Sequence, residues 1–264
     1  MKIKVNGINI DYRDEGEGTP VIFIHAFPLN QTMWDEQVSA LKNHCRAITL
    51  DLRGFGNSDV PDGPYSMDQM AADVRRLMEA LDIDRATLVG LSMGGYVSLA
   101  FYRNYSDAVR AMVFADTRAS ADTREARERR MKSAEKAERE GARAIADDMV
   151  PVALARSTVE GRPEIVERMR KMAEANSPVG IAAAQRGMAE RRDHTDMLGD
   201  MDFPALIIVG SEDALTPVAE AEALRDGIRE SRMRVIEGAG HLSNLEYPRE
   251  FNDALIEFVD SLSH

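Results

Sequence analysis

Short hydrophobic runs alternate along most of the chain with longer segments of helical periodicity. Runs such as 21–24 are continuously apolar, as expected for strands covered on both faces of a sheet. Asn6-Gly7 separates the first two runs and predicts a hairpin, so the sheet begins antiparallel. The predicted strands are residues 2–5, 8–13, 21–24, 46–50, 87–89, 111–114, 205–209 and 233–236. The pattern predicts an α/β fold with an eight-stranded, mostly parallel sheet flanked by helices.

One region interrupts this alternation. Residues 118–202 contain no predicted strand and are rich in charged residues at helical spacing. Three helices are predicted there, beginning near Thr123, at Pro163 and at Pro178, with Ser177 as the N-cap of the third. We expect a helical lid between strands six and seven, with residues 1–117 and 203–264 forming the core. A solvated helical decoration far from the chemistry is the alternative.

Composition narrows the classes of partner. The 264 residues, 44% hydrophobic and 30% charged, are typical of a globular protein, and the net charge of −12 argues against nucleic acid or an anionic membrane as partner. No secretory signal or membrane span is recognised. The single cysteine, Cys45, excludes internal disulfides and indicates a cytoplasmic protein. A small-molecule substrate is expected, and the sequence leaves homo-oligomerisation open.

Gly90-Leu91-Ser92-Met93-Gly94 joins a predicted strand, 85–89, to a predicted helix, 96–102. A serine between two near-neighbour glycines at such a turn indicates a nucleophile elbow. Gly90 and Gly94 remove Cβ atoms that the tight turn would crowd. Ser92 is therefore the candidate nucleophile, and a structural glycine-rich turn is the alternative.

A serine hydroxyl needs a base, and the base needs an orienting carboxylate. Asp213 follows the strand 205–209, and His241 follows the strand 233–236, so both lie just past strand ends. Glu212 is the alternative acid. Three further histidines, His44, His194 and His264, lie in polar contexts without strand-end placement. The predicted triad is Ser92, Asp213 and His241.

The developing oxyanion requires two donors. The backbone N–H of Met93 supplies one, and the loop after strand three supplies the other. Phe27 is the predicted donor of that loop because Pro28 has no N–H. His25 is expected to brace this loop through hydrogen bonds rather than to act as an acid or base.

Over essentially its whole length the chain resembles the α/β-hydrolase superfamily. The residues that carry the resemblance are His25-Ala26-Phe27-Pro28, Asp51-x-Arg53-Gly54-x-Gly56-x-Ser58-Asp59, Gly90-x-Ser92-x-Gly94-Gly95, Gly210-x-x-Asp213 and Gly240-His241. It is similar to small bacterial carboxylesterases, 3-oxoadipate enol-lactonases and cofactor-free haloperoxidases or perhydrolases. Those relatives usually have His-Gly where this chain has His25-Ala26. Ser92 argues against dehalogenases and epoxide hydrolases, which place aspartate at the elbow.

The resemblance implies a serine carboxylic ester hydrolase that acts on small esters through an acyl-enzyme, with no metal or organic cofactor. One alternative is a lactonase of the enol-lactonase type, whose acidic substrate would need a cation in the pocket. The candidate cations are Arg118, Arg124, Arg127, Arg186 and Arg191. The sequence leaves two more functions open. One is a perhydrolase or haloperoxidase side activity, because Phe27-Pro28 resembles the sequence found in those enzymes. The other is a small-molecule receptor or stress regulator that keeps the triad.

Overall fold

The computed structural model describes residues 1–262, and all eight predicted strands are present. They are β1 (Lys2–Val5), β2 (Ile8–Glu15), β3 (Pro20–Ile24), β4 (Arg46–Leu50), β5 (Ala86–Leu91), β6 (Val109–Ala115), β7 (Ala205–Gly210) and β8 (Ser231–Ile236). Their boundaries differ from the sequence prediction by two residues or fewer. His264, rejected from sequence as the base, lies outside the described residues.

The strands form one sheet in the order β1-β2-β4-β3-β5-β6-β7-β8. The pairs β1–β2 and β2–β4 are antiparallel, and all other neighbours are parallel. Asn6 and Gly7 turn the first hairpin with φ values of 46° and 83°, which confirms the predicted antiparallel start. Because the remaining strands run in one direction, the loops that follow β3, β5, β6, β7 and β8 meet at one edge.

Helices cover both faces of the sheet. Outside the segment between β6 and β7 they are α1 (Asp35–Leu41), α2 (Met67–Ala80), α3 (Met93–Tyr105), α9 (Val218–Gly227), α10 (Ser243–Glu246) and α11 (Pro248–Ser261). Alternate residues of β3 enter opposite layers: Ile22 packs in the layer that contains α2 and α3, and Phe23 packs in the layer that contains α1 and α11. This two-sided burial explains the continuously apolar strand sequences.

The chain between β6 and β7, residues 118–202, is helical and is called the helical insertion below. It contains α4 (Arg124–Glu140), α5 (Ala142–Ala153), α6 (Arg156–Gly161), α7 (Pro163–Glu174), α8 (Pro178–Ala189) and a 3-10 turn at Thr195–Asp200. Thr123 caps α4 by accepting a hydrogen bond from Ala126 N at 3.2 Å.

The sequence prediction of three helices in this insertion was too low. Gly141, with φ of 87°, ends α4, and the next residue already begins α5, so the polar pattern contained two further helices. Pro163 and Pro178 do begin helices, as predicted, but Ser177 makes no side-chain capping hydrogen bond. Within residues 1–262, none of the helices combines the length and the apolar character that a membrane span needs.

Candidate active site

Ser92 lies at the sharp turn between β5 and α3, with φ of 54° and ψ of −111°. A Cβ on Gly90 would lie 2.4 Å from the carbonyl oxygen of Gly94, and a Cβ on Gly94 would lie 2.1 Å from that of Ile24. Both positions therefore require glycine. The turn keeps the Ser92 side chain partly exposed above the sheet.

His241 lies beside this serine and Asp213 lies beside His241, although both are far from Ser92 in sequence. Ser92 Oγ is 2.7 Å from His241 Nε2, and His241 Nδ1 is 2.8 Å from Asp213 Oδ2. The imidazole can accept the serine proton on one nitrogen while its other N–H donates to the carboxylate. Glu212, the alternative acid, is exposed. His44, a rejected base, lies near the surface 3.0 Å from Asp260.

The Asp213 carboxylate is held by its own loop. Oδ1 accepts hydrogen bonds from the backbone N–H groups of Leu215 and Thr216 at 2.8 and 2.9 Å. Oδ2 accepts the Thr216 hydroxyl at 2.6 Å in addition to His241. These donors select the ionised carboxylate and fix its direction.

The charges of Asp213 and His241 stabilise each other, so the site favours an ionised Asp213 beside a protonated His241. Burial opposes ionisation of Asp213, but His241 and the Thr216 donors outweigh it and lower the pKa of this carboxyl. Burial likewise disfavours a charged His241, but the Asp213 carboxylate outweighs it and raises the pKa of the imidazole. His241 is thus a stronger base than a free histidine.

The backbone N–H groups of Met93 and Phe27 are the oxyanion donors predicted from sequence. Met93 is the first residue of α3, and Phe27 lines the same cavity as Ser92. Neither N–H donates a hydrogen bond to any atom of residues 1–262. His25 braces the Phe27 loop: Nδ1–H donates to Ala26 O at 2.9 Å, and Nε2 accepts from Leu52 N at 3.1 Å. Burial lowers the pKa of His25, consistent with a neutral bracing ring.

Ser92 and His241 open into a cavity of about 370 Å³ whose outer wall is the helical insertion. The volume suits a small organic molecule. The core contributes Phe27, Ser92, Tyr96, Ala214, Leu215, Thr216 and His241; the insertion contributes Arg118, Asp122, Thr123, Ala126, Arg129, Arg130, Ser133, Met149, Gln185 and Met188. Residues of the insertion therefore face the candidate nucleophile.

Of the five arginines proposed from sequence, Arg118 lines the cavity. Arg191 is buried behind the wall, 4.2 Å from the centre of the Tyr96 ring. Three others lie outside it. Arg124 and Arg186 pair with Glu128 and Glu138 on the insertion, and Arg127 is exposed.

Sequence reasoning missed Arg129 and Arg130, which also line the cavity. Arg130 and Arg118 converge on the same buried carboxylate, Asp122, where Arg191 also binds at 2.6 Å. Arg130 lies eight residues beyond Asp122 in a stretch of many charges, so nothing local distinguished it from the solvated residues.

Sequence reasoning also missed two buried carboxylates near the candidate triad. Asp116 follows β6 and accepts hydrogen bonds from Gly210 N at 2.9 Å and from the Ser243 hydroxyl at 2.5 Å. Glu246, in α10, accepts from Gly240 N and Ala155 N, both at 2.9 Å. Asp116 follows a strand end, as Asp213 does, and that position was the available signal.

Among residues 1–262, no group of three or more His, Cys, Asp or Glu side chains is arranged to hold a metal ion. The site presents a serine hydroxyl in hydrogen-bond contact with an imidazole, which is the pair that nucleophilic catalysis by serine requires.

Known proteins share this architecture. A family model described as alpha/beta hydrolase fold matches residues 19–248. A thermophilic esterase from Thermogutta terrifontis, solved with malate bound, superposes with a TM-score of 0.96 at 41% identity and covers 100% of this chain and 99% of that one. The enol-lactonase of Burkholderia xenovorans superposes with a TM-score of 0.91 at 30% identity, covering 98% and 99% of the two chains.

Proteins related by sequence include similar enzymes. 3-Oxoadipate enol-lactonase 2 of Acinetobacter baylyi is 32% identical over 89% of this chain and 86% of its own length. A putative non-heme chloroperoxidase of Synechocystis is 32% identical over 96% of this chain and 95% of its own. Family model, relatives and fold agree, and the chain belongs to the alpha/beta hydrolase fold family.

Proposed function

We propose that this protein is a serine carboxylic ester hydrolase that acts on small esters through an acyl-enzyme. The observation that carries the proposal is the connected array Ser92 Oγ, His241 Nε2, His241 Nδ1 and Asp213 Oδ2, with links of 2.7 and 2.8 Å, at the floor of the cavity. The esterase of Thermogutta terrifontis, at 41% identity, supports the same activity class.

In the acylation half-reaction, Ser92 Oγ attacks the acyl carbon as its proton moves to His241 Nε2. The carbonyl oxygen becomes an oxyanion and accepts hydrogen bonds from the backbone N–H groups of Phe27 and Met93. Asp213 stabilises the imidazolium through Nδ1–H. The tetrahedral intermediate then breaks its bond to the alkoxy oxygen, which takes the proton from His241 and leaves as the alcohol.

Deacylation repeats these steps with water. His241 Nε2 removes a proton from water, whose oxygen attacks the acyl carbon, and the same two N–H groups receive the charge. Collapse breaks the bond to Ser92 Oγ, which recovers its proton from His241. The products are the carboxylic acid and free enzyme. The helical insertion, as the outer wall of the cavity, is proposed to be the lid that selects the substrate.

A panel of p-nitrophenyl esters from acetate to octanoate, measured with wild type and Ser92→Ala, tests this function. We expect saturable hydrolysis by the wild type and a loss of at least about 10³-fold in kcat for Ser92→Ala with an unchanged fold by circular dichroism. Residual activity of Ser92→Ala near the wild-type rate would remove Ser92 as the nucleophile. Weak turnover of every ester together with tight ligand binding would favour a receptor function.

The arginines of the insertion favour a second candidate, hydrolysis of carboxylate-bearing lactones or esters. Three guanidinium groups, from Arg118, Arg130 and Arg191, surround Asp122, whose carboxylate is fully buried. Burial opposes ionisation of Asp122, but Arg130 and Arg191 outweigh it and lower its pKa to about 2, so the carboxylate is charged at neutral pH. Glu220 approaches only Arg118, at 4.0 Å. The cluster therefore has surplus positive charge on the cavity side.

Matched substrates decide between the two candidates. We expect an anion-selective pocket to give a higher kcat/KM for the monomethyl ester of adipic acid than for its dimethyl ester, with the preference reduced at high salt. Arg118→Gln should reduce that preference, while Arg124→Gln, on the exposed side of α4, should not. Equal values for both esters would leave the neutral-ester function standing alone. Adding hydrogen peroxide to the same assay reports perhydrolase activity.

A further inference from the structure

Asn176 lies in the link between α7 and α8, far in sequence from Phe27 and from the candidate triad. Its side chain is buried, with 3% of the residue exposed. Nδ2 donates to three backbone carbonyls, at 2.6 Å to Pro28, 3.2 Å to Leu29 and 3.0 Å to Met172. Oδ1 accepts from Gly56 N at 2.6 Å. One amide of the helical insertion thus joins two loops of the core.

The first of these loops is the one that contains Phe27. It follows β3 and has one internal backbone bond, from Leu29 N to Ala26 O at 2.9 Å. On the β3 side, His25 holds Ala26 O. Farther along the loop, the carbonyls of Pro28 and Leu29 accept hydrogen bonds from Asn176. Asn176 therefore restrains the end of the loop that lies away from β3.

An oxyanion donor lowers the barrier only if it already points at the developing charge, because reorienting it during the reaction costs free energy. The Pro28 carbonyl and the Leu29 N–H belong to one peptide group, and that N–H donates to Ala26 O at 2.9 Å. Ala26 O belongs in turn to the peptide group that carries the Phe27 N–H, so a shift of the Pro28 carbonyl reaches the Phe27 N–H through this bond. The second partner, Gly56, lies in the loop after β4, and its φ of 53° shows how tightly that loop is turned. Asn176 ties both loops to the end of α7.

We propose that Asn176 is a positioning residue through which the helical insertion sets the oxyanion hole. When α7 and α8 pack on the core, the Asn176 amide binds the carbonyls of Pro28 and Leu29 and thereby orients the Phe27 N–H. The insertion would then contribute to transition-state stabilisation besides forming a wall of the cavity. This inference rests on the proposed ester hydrolysis.

Asn176→Asp is the sharpest variant because it keeps the shape and replaces the donor by an acceptor facing three carbonyl oxygens. Asn176→Ala removes the contacts without adding charge and guards against failure of the aspartate variant to fold. Gln37→Glu is the matched control. The Gln37 amide is also buried and donates to Asn244 O and Asn252 Oδ1, but its hydrogen-bond partners lie outside the Phe27 loop.

Positioning and a purely structural role predict different kinetics. If Asn176 aligns the oxyanion hole, kcat for p-nitrophenyl butyrate falls about 10- to 100-fold in both variants, less than the loss typical for deleting a donor, and KM changes by less than about threefold. The affinity for a trifluoromethyl ketone, which adds to Ser92 and places an oxyanion in the hole, falls by a similar factor. Binding of the intact ester, measured in a Ser92→Ala background, stays unchanged.

A lower melting temperature with wild-type kcat and inhibitor affinity, the behaviour expected of Gln37→Glu, would overturn the proposal. A rise in KM at constant kcat would overturn it as well, because it would place Asn176 in ground-state binding. Failure of wild type to hydrolyse any ester would remove the proposed function and this inference together. An active wild type with unaffected Asn176 variants would remove this inference alone.

Discussion

The hydroxyl of Thr216 donates to Oδ2 of Asp213 at 2.6 Å, the same oxygen that receives His241 Nδ1–H at 2.8 Å. The hydroxyl also lies 3.3 Å from His241 Nδ1. Thr216 therefore lies next to the hydrogen bond between Asp213 and His241. Its hydroxyl restrains the carboxylate in the orientation that accepts the imidazole N–H. The geometry makes Thr216 a positioning residue for the proposed triad.

Thr216→Val tests this contact because valine keeps the branched shape and removes the hydroxyl. A hydrogen bond to a charged group contributes about 1.5–3 kcal/mol, so we expect kcat to fall by about 10-fold or more. Steady-state kinetics on a p-nitrophenyl ester provides the measurement. Thr216→Ser keeps the hydroxyl and should retain most of the activity, and equal losses in both variants would contradict the assigned role.

Ester hydrolysis should depend on pH through His241. The base must be neutral to accept the Ser92 proton, so activity falls as the pH drops through the His241 pKa. Burial opposes the charged ring, but Asp213 raises this pKa above the usual 6.5, and the acid limb of kcat/KM should have its midpoint above 6.5. Rates at constant ionic strength between pH 5 and 9 measure it. A midpoint below 6.5 would contradict the dominance of the Asp213 charge over burial.

Asp116 should make stability fall with rising pH. Burial and the neighbouring Asp213 raise the pKa of Asp116 from 3.8 to about 8, so between these values the folded protein holds a proton that the unfolded chain has released. The stability from this proton is complete below 3.8 and is lost as the pH rises through about 8. Asparagine resembles the protonated acid and does not titrate.

Asp116→Asn should therefore gain stability relative to wild type as the pH rises from 5 to 8, by at most about 1.4 kcal/mol per pH unit. Urea unfolding at several pH values gives the difference. Asp107→Asn, at an exposed position, serves as the control and should show no such trend. A difference that does not change with pH would show that Asp116 is ionised in the folded protein throughout this range.

Glu246 should stabilise the loop that carries His241. Its two carboxylate oxygens accept from Gly240 N, next to His241, and from Ala155 N of the insertion. Glutamine can accept only one of these bonds and places an NH2 against the other donor. We expect Glu246→Gln to lose about 1–3 kcal/mol in the free energy of unfolding.

The same change should move the acid limb of the activity profile to lower pH, because the Glu246 charge helps to raise the pKa of His241. Denaturant unfolding and the pH–rate profile measure the two effects. Glu222→Gln, on an exposed position of α9, is the matched control. Unchanged stability in Glu246→Gln would show that the two N–H groups do not depend on this carboxylate.

Features that depend on near neighbours were predicted well. Each strand has its own apolar run. Gly90 and Gly94 lie within two residues of Ser92, so five consecutive residues are enough to identify the elbow. Asp213 and His241 were recognised because each follows a strand, and parallel strands bring those ends to one edge. The hydrogen bonds between Ser92, His241 and Asp213 join these separately recognised elements.

The sequence by itself determined the eight strands, the elbow and the order of the candidate triad, because each depends on local periodicity or backbone sterics. The tertiary structure alone decided which arginines meet Asp122, that Asp116 and Glu246 are buried, and that Asn176 reaches Pro28 across 148 residues. Asp122 and its arginines meet through packing within the insertion, and Asp116 is buried where loops of the core meet. Glu246 and Asn176 depend on how the insertion packs on the core. Many surface charges have equivalent local patterns, and only packing selects the few that are buried together.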